Sequence, residues 1–105
     1  MEERKYGWRP DKPDFRDKVC NLRAVRGASK AVDLRTTGFM PPVYDQGQIG
    51  SCTGNGIAAA VEYGLRAQGK ADHIPSRLFI YYNERVIEGT VDQDAGAEIR
   101  DGIKV

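Results

Sequence analysis

The chain has 105 residues, of which 16 are basic and 15 are acidic, and its formal net charge is +1. A charge so close to zero gives no strong field that would attract nucleic acid or a membrane surface, and we expect neither as a partner. Two cysteines are too few for a disulfide-rich scaffold, and a four-ligand zinc site would need both of them together with the single histidine, His73, and a carboxylate. Catalysis that needs an imidazole must therefore use His73 or a residue outside this chain.

The sequence contains no recognisable targeting segment. No apolar run approaches the roughly 18 residues of a membrane span. The first residues are charged and lack the apolar stretch of a secretory signal. We therefore expect a cytoplasmic protein.

The charges divide the chain into three parts. Residues 1–35 carry 10 basic and 6 acidic groups, residues 36–61 carry Asp45 alone, and residues 62–105 carry 6 basic and 8 acidic groups. Glycines are concentrated from the middle part onward. A segment that is uncharged and rich in glycine usually runs through the interior or lines a site, so this is where we look for function.

The N-terminal part predicts an extended arm, because residues 6–17 are charged and interrupted by prolines. Trp8 and Phe15 are the side chains that would anchor this arm to a surface, although an ordinary packing contact is the simpler role for Trp8. Farther along, Val32-Asp33-Leu34 alternates as a strand does.

Three helices are predicted after the glycine-rich stretch. The first follows Ser51, a good N-cap residue, and ends at Gly69. Small and apolar residues surround its axis, so we expect it to be buried on nearly all sides. The second begins near Ser76, and apolar residues at helical spacing form its inner stripe: Leu78, Phe79, Tyr82 and Val86.

The third helix begins near Asp92 or Asp94 and sets Ile99 and Ile103 four positions apart on one face. Together these elements predict a mostly helical domain that is preceded by a charged arm.

Two glycines, Gly54 and Gly56, stand near the start of the first helix, where each costs about 0.8–1 kcal/mol relative to alanine. Either another backbone or a ligand approaches closely there. Two phosphate-binding motifs match in part. However, Gly54 does not follow an apolar strand, and the P-loop-like run 64–70 is followed by Ala71, which has no hydroxyl to hold magnesium. We therefore set both motifs aside.

Cys52 directly follows the predicted N-cap, which places its sulfur at the positive end of the helix dipole. The dipole and the N–H groups of the first turn stabilise a thiolate, and the same N–H groups can receive an oxyanion. The amide of Gln46, six residues earlier, supplies a further donor. The alternative is that Cys52 is a small core residue, the usual place of a lone cysteine.

Two stretches around this cysteine carry a family resemblance: Val32-Asp33-Leu34-Arg35 and Pro42-Val43-Tyr44-Asp45-Gln46-Gly47-Gln48-Ile49-Gly50-Ser51-Cys52. They resemble the N-terminal part of the papain-like cysteine peptidases, in which a Val-Asp-Trp-Arg-like stretch precedes a Pro-Val turn and a Gln-Gly-x-x-Gly-Ser-Cys run. The spacing between the glutamine and the cysteine matches without a gap.

This resemblance implies an α+β papain-like fold, of which the chain is the mostly helical left-hand domain with an extended N-terminal arm. Cys52 is then the nucleophile, Gln46 the side chain of the oxyanion hole, and the backbone N–H of Cys52 the second donor. Gly50, Ser51 and, by a weaker similarity, Gly96 border the substrate. The implied reaction is thiolate acyl transfer on a peptide or protein substrate, and it requires neither a metal nor a cofactor. The first helix would be buried against the family's other domain.

Two positions depart from the family's local pattern, in which Cys-Gly-Ser-Cys is followed by an aromatic residue. Ile49 replaces the first cysteine and removes a structural disulfide, which fits a reducing compartment. Thr53 replaces the aromatic residue and alters the wall beside the nucleophile. Cys20 matches no position of the family and is most simply a free thiol, with a Cys20–Cys52 redox lock as the alternative.

The histidine and asparagine that complete the family's site lie about 130–150 residues after the cysteine, whereas only 53 residues follow Cys52 here. His73 comes just after the first helix, whose length would put roughly 25 Å between it and Cys52. We therefore expect His73 to be a surface residue, and we expect the chain to lack the general base.

The predicted organisation is an N-terminal extension with a regulatory role, residues 1–31, which folds back over the cleft, followed by the left-hand domain, residues 32–105. The helical pattern at Ile103 and Val105 is that of a cut sequence. We expect the histidine-bearing C-terminal domain to be a partner from outside this chain, and the isolated chain to be an inactive, truncated thiol protease. The alternative is a non-catalytic interaction or scaffold module that descends from a peptidase half-domain.

Overall fold

A computed structural model describes residues 6–19 and 31–105, and in this part of the chain there are three α-helices, one 3-10 helix and two short strands. In chain order the elements are β1 (Trp8–Arg9), a 3-10 helix (Leu34–Thr37), α1 (Cys52–Ala67), α2 (Arg77–Glu88), β2 (Ala97–Glu98) and α3 (Ile99–Lys104). The three α-helices contact one another, and β1 pairs in parallel with β2. The predicted helical domain with an extended arm is therefore confirmed.

The two longer helices begin where the sequence predicts. α1 starts directly after Ser51. α2 starts after Ser76, whose hydroxyl accepts the N–H of Phe79 at 3.1 Å, and so satisfies one of the N–H groups that the first turn leaves open. It ends at Gly89, where φ is +74°, a left-handed conformation that glycine adopts without strain.

α1 is less buried than predicted. Its buried residues lie along one side of the helix: Thr53, Gly54, Ala58 and Glu62. Ala60 and Val61, on another side, are exposed. The expectation of burial on nearly all sides is therefore wrong for the described residues, because α2 and α3 cover only part of the helix circumference.

The inner face of α2 is not the predicted stripe. Leu78 is 63% exposed, and its three predicted neighbours are also about half exposed or more: Phe79, Tyr82 and Val86. The buried residues of α2 are Ile80, Tyr81 and Glu84. Two of these are polar and hydrogen-bonded, so a prediction based on apolar spacing selected the wrong side of the helix.

The third helix starts later than predicted. α3 follows Glu98 rather than Asp92 or Asp94, because the intervening chain forms β2 and the loop that leads into it. Ile99 and Ile103 are both in α3, and both are exposed.

The region of Val32 is not a strand. The carboxylate of Asp33 accepts the backbone N–H of Arg35 at 3.0 Å, and this cap starts the 3-10 helix. A local side-chain bond of this kind competes with extended pairing, which explains why the short alternation misleads.

The described part of the arm lies along β2 and α3. The N–H of Ala97 donates to the carbonyl of Gly7 at 2.8 Å. Arg100, on α3, donates from its backbone N–H to Asp11 at 3.0 Å and from its guanidinium to the carbonyl of Lys12 and the carboxylate of Asp17. Backbone pairing and charge therefore fasten the arm.

The predicted aromatic anchors contribute little to this attachment. Trp8 is 55% exposed within β1, and Phe15 is 98% exposed, so Phe15 does not anchor the arm to the described residues. The remaining parts of the extension, residues 1–5 and 20–30, lie outside the described residues, and so does Cys20.

The core is small and mixes apolar with charged groups. The core consists of the apolar side chains of Ala58, Ile80 and Ala97 and the ring of Tyr81, whose polar hydroxyl is hydrogen-bonded. Glu62 and Glu84 are also fully buried. None of the helices in residues 6–19 and 31–105 is long and apolar enough to cross a membrane.

Candidate active site

Cys52 is the first residue of α1, as predicted. It carries a free thiol and is partly buried. Its position at the helix N-terminus gives it the dipole and the N–H groups of the first turn. The alternative of a Cys20–Cys52 redox lock involves Cys20, which lies outside the described residues, and stays a prediction.

Ser51 holds the N-cap position, but its side chain makes no capping hydrogen bond. It is buried, and its carbonyl and hydroxyl accept the side-chain amide of Asn55 at 2.8 and 3.1 Å. The helix start is therefore fixed by a side chain one turn further on.

Gln46 lies in the turn that leads to Cys52. Its amide nitrogen donates to the carbonyl of Ile49 at 2.9 Å, and the carboxylate of Asp45 accepts the N–H of Gly47 at 2.9 Å. Gln46 and Ser51 both line an open cleft of about 470 Å³. The structure thus brings the predicted oxyanion residue and the N-cap to the wall of one depression.

Arg77, the first residue of α2, ties this turn to α1. Its guanidinium donates to the carbonyl of Asp45 at 3.3 Å and to the side-chain oxygen of Asn55 at 2.7 Å. It also lies 4.6 Å above the ring of Tyr44, a cation–π contact. The Tyr44 hydroxyl in turn donates to the buried carboxylate of Glu62, and this hydrogen bond raises the pKa of the phenol.

The predicted substrate-binding residues Gly50 and Gly96 meet at a crossing with Gly7 of the arm. A Cβ added at Gly7 would overlap the carbonyl of Gly50 and would lie 2.8 Å from the Cα of Gly96. Only residues without a side chain allow three backbones to approach so closely. Both predicted residues are buried, and the N–H of Gly96 donates to the Tyr81 hydroxyl at 3.1 Å.

Asp94 holds the turn that precedes Cys52. The N–H of Gly50 donates to both carboxylate oxygens of Asp94, at 3.1 and 3.2 Å. The Tyr81 hydroxyl also donates to this carboxylate. Burial, followed by this hydrogen bond, raises the pKa of Tyr81 to about 12, so the phenol is a neutral donor at physiological pH.

Thr53, the residue that departs from the family pattern, points into the interface between α1 and α2. It is buried, and its hydroxyl donates to the carboxylate of Glu84 at 2.6 Å. Burial raises the pKa of Glu84. The hydroxyl at this position is therefore explained by the buried glutamate: it donates to one carboxylate oxygen, while the other, Oε1, is buried without a hydrogen-bond partner.

The two glycines near the start of α1 have different surroundings. A Cβ added at Gly54 would lie 2.8 Å from the carbonyl oxygen of Arg77, whereas one added at Gly56 would meet nothing within 4 Å. Close approach of the α2 backbone thus accounts for Gly54. Nothing in the structure explains Gly56. Both glycines lie inside a helix, as does most of the run 64–70, so neither forms a phosphate loop.

His73 is exposed, as predicted, but the predicted separation along the helix does not describe its position. The segment after α1 returns along the helix, and His73 lines a depression together with Ile57 and Val61 from the middle of α1. The side chains that line this depression do not include Cys52 or Gln46, so His73 is not part of the candidate site.

Three carboxylates, those of Glu88, Glu98 and Asp101, bring one oxygen each within 4.8 Å of one another. Burial raises the pKa of Glu88, and this residue pairs with Arg9. Asp101 pairs with Lys104 at 3.2 Å. Two of the three charges are therefore met by protein cations, and we assign no metal to this group.

The sequence did not single out Asp94, Tyr81 or Arg77 for the site. Asp94 stood only as a helix start or as a neighbour of Gly96, and Tyr81 lies outside the apolar stripe. Their roles depend on contacts 13 to 44 positions apart along the chain, for which one sequence carries no local signal.

Comparison with known proteins identifies the fold. Xylellain, a cysteine protease from Xylella fastidiosa, superposes with a TM-score of 0.79 and 47% identity over 100% of this chain and 40% of its own chain. A peptidase C1-like protein of Acanthamoeba polyphaga mimivirus is 39% identical over 118 aligned positions, which cover 96% of this chain and 38% of that protein. No protein-family model matches the chain.

The chain therefore has the fold of the helical left-hand domain of a papain-like cysteine protease, and it is similar to proteins of that family, as its sequence resemblance indicated. It spans about two fifths of the length of these two relatives, and the matched part fits their N-terminal portion.

Proposed function

We propose that the chain supplies the nucleophile and half of the oxyanion hole to a cysteine-type peptidase, and that a histidine-bearing domain completes the site. The observation that carries this proposal is the position of Cys52: a free thiol at the start of α1, beside the turn that holds Gln46. The similarity to a cysteine protease over the whole chain supports it.

In the proposed reaction, the Cys52 thiolate attacks the carbonyl carbon of a peptide bond and forms a carbon–sulfur bond. The negative charge moves to the carbonyl oxygen, which the amide of Gln46 and the backbone N–H of Cys52 receive. The histidine of the other domain gives a proton to the leaving amine. Water then attacks the acyl-enzyme, which releases the acid and returns the thiol. Gly50, Ser51 and Gly96 remain our candidates for contacts with the substrate.

The exposed apolar surface supports docking of a second domain. α1 and α3 enclose an open depression of about 520 Å³ that is lined by aliphatic side chains, among them Ile57, Val61 and Ile103. Ile103 is 73% exposed, which is costly for an isoleucine that stays in water. This surface lies on the same helix as Cys52. A domain that covers it would therefore be close to the nucleophile.

A fusion experiment tests the proposal. The part of xylellain that lies beyond its match to this chain would be joined to the C-terminus of the chain, and hydrolysis of a fluorogenic peptide would be followed. We expect hydrolysis by the fusion that Cys52→Ala abolishes and that the matched cysteine change Cys20→Ser leaves intact. The isolated chain should show negligible hydrolysis.

Two outcomes would contradict the proposal. If the fusion folds but its Cys52 reacts no faster with iodoacetamide than a free cysteine, the proposal that Cys52 is the nucleophile is wrong. Robust hydrolysis by the isolated chain, lost in Cys52→Ala, would deny that a second domain is needed. A folded fusion with a reactive thiol but no hydrolysis would favour the non-catalytic interaction module.

We also propose that residues 1–31 regulate access to Cys52. Support comes from the packing of Gly7 against Gly50, two residues before the nucleophile, and from the bonds of Arg100 to the arm. Arg100→Ala should raise the rate at which a bulky maleimide labels Cys52 by about threefold, and the rate with iodoacetamide by less, because a partly exposed ion pair contributes up to about 1 kcal/mol.

The matched control for the arm is Lys104→Ala, which removes a cation of the same helix whose ion pair is with Asp101 rather than the arm. Equal ratios of the two labelling rates in both variants would contradict a role for the arm in access. The absence of nucleic-acid, membrane and metal partners, and the cytoplasmic location, stay predictions.

A further inference from the structure

The carboxylate of Asp94 lies where three segments of the chain meet. One hydrogen-bonded path runs from the N–H of Gly96 to the hydroxyl of Tyr81, from this hydroxyl to Asp94, and from the N–H of Gly50 to the same carboxylate. It thereby joins the loop before β2, the buried face of α2 and the turn before Cys52. The path reaches the backbone of Gly50, two residues before Cys52, so its effect on the site passes through that backbone.

The arm also packs against this turn. The place where a Cβ of Gly50 would stand lies 3.4 Å from the Cα of Gly7 and 3.2 Å from a carboxylate oxygen of Asp94. The backbone of the arm and the carboxylate therefore both contact the chain at Gly50.

We infer that Asp94 is a positioning residue for Cys52: by holding the N–H of Gly50, its carboxylate fixes the turn from which α1 and its nucleophile start. This inference rests on the proposed function of Cys52. Asp94 is not a catalytic residue, because it acts through the backbone of Gly50 and Ser51.

The hydrogen bonds give this role a physical basis. A bond from a backbone N–H to an ionised carboxylate is among the stronger ones in proteins. Tyr81 is fully buried, so it fixes the orientation of the carboxylate that it contacts. Small displacements matter at such a place, since a misplacement of about 1 Å can lower a reaction rate roughly a hundredfold.

The test uses the 105-residue chain in a Cys20→Ser background, so that Cys52 is the only thiol. The variants are Asp94→Ala, Asp94→Asn and Tyr81→Phe. The measurements are hydrogen exchange at the Gly50 amide, the rate of alkylation of Cys52 by iodoacetamide, and thermal unfolding. The matched control is Asp33→Asn, which changes a carboxylate that accepts hydrogen bonds from Arg35 in the 3-10 helix.

We expect Asp94→Ala to speed exchange at the Gly50 amide by about tenfold and to slow alkylation by about fivefold, since the lost bonds are charge-assisted. Asp94→Asn keeps one acceptor oxygen and should rescue both readouts in part. Tyr81→Phe should shift both in the same direction by less. Asp33→Asn should leave both unchanged.

If Asp94 only stabilised the fold, its substitution would lower the unfolding temperature, but the alkylation rates of the variants would not follow the order given above. Unchanged alkylation in folded Asp94 and Tyr81 variants, with faster exchange at Gly50, would therefore overturn the inference. If Asp94→Ala does not fold, Asp94→Asn and Tyr81→Phe decide the question in the same way. If Cys52 of the wild-type chain reacts no faster than Cys20 in a Cys52→Ser variant, the proposed function fails instead.

Discussion

The two faces of α2 are the reverse of what an amphipathic helix usually presents. The face that meets α1 carries Ile80, Tyr81 and Glu84, of which the last two are polar and hydrogen-bonded. The opposite face carries four large apolar side chains that remain exposed: Leu78, Phe79, Tyr82 and Val86. Hydrogen-bonded polar groups and close backbone contacts therefore add to a small apolar core in the described domain.

This difference shows what hydrophobic spacing can and cannot indicate. The spacing of apolar residues identifies a helix, because it reports a period. It does not indicate which side meets the neighbouring helix when that side is filled by hydrogen-bonded polar residues. An exposed apolar face of this size is typical of an interaction surface.

Truncating one residue on each face of α2 gives the largest expected contrast. Ile80→Ala should lower the free energy of unfolding by about 3 kcal/mol, because it leaves a cavity at a buried site. Leu78→Ala, a matched deletion on the exposed face, should cost less than about 0.5 kcal/mol. Urea denaturation of both variants checks this, and similar losses would show that the exposed face is in fact packed.

Two glycines of α1 allow the same comparison, because Gly54 lies on the side that α2 covers and Gly56 on a side that is open. Gly54→Ala places a Cβ 2.8 Å from the carbonyl oxygen of Arg77, and should cost about 2 kcal/mol through overpacking. Gly56→Ala meets open space and should stabilise the chain by about 0.8 kcal/mol through helix propensity. A stabilising Gly54→Ala in the same denaturation experiment would refute the close crossing of α1 and α2.

Removing one hydroxyl tests the polar interface directly. Thr53→Val keeps the shape of the side chain but takes away the donor to Glu84, and should cost about 1–2 kcal/mol because a buried carboxylate oxygen loses its partner. Thr36→Val, at an exposed position, should have an effect below about 0.5 kcal/mol. Equal effects would mean that the bond to Glu84 contributes nothing.

The smallest effect expected is a dependence of stability on pH. Burial raises the pKa of Glu84 above its ordinary value of 4.5, so just above that pH the folded chain holds more protons than the unfolded chain. The contribution of Glu84 to the free energy of unfolding is therefore fully present below about pH 4.5 and is lost as the pH rises through the raised pKa.

Glu84→Gln should flatten this fall, while Glu88, whose pKa burial also raises, keeps the remaining slope. Unfolding free energies measured from about pH 4 to about pH 8 would check this. Parallel curves for the variant and the wild type would contradict the assignment to Glu84.

The elements that the sequence predicts well are those with local signals. Ser76 caps α2 through a bond three residues away, and Ser51 marks the start of α1. The start of α3 was missed because pairing of Ala97 with the distant arm, a nonlocal contact, takes residues that would otherwise enter a helix. The strand at Val32 failed for a local reason, the Asp33 cap.

The candidate site divides in the same way. Cys52 and Gln46 could be found from the sequence because they share one short run with a family pattern. Their supports could not be found, since Asp94 reaches Gly50 across 44 positions and Arg77 reaches Asn55 across 22. A hydrogen bond between residues far apart in the chain produces no periodic pattern and no fixed spacing that a single sequence would show.

The pairing of β1 with β2 also has a consequence for how the chain is made. Trp8 lies opposite Ala97, so β1 cannot pair until β2, about 90 residues later in the sequence, has been synthesised. Helices α1 and α2 can form and pack as they emerge from the ribosome, whereas the contacts of Gly7 with Gly50 and Gly96 require almost the full sequence. During synthesis, the turn before Cys52 therefore reaches its final form only after Gly96 has been made.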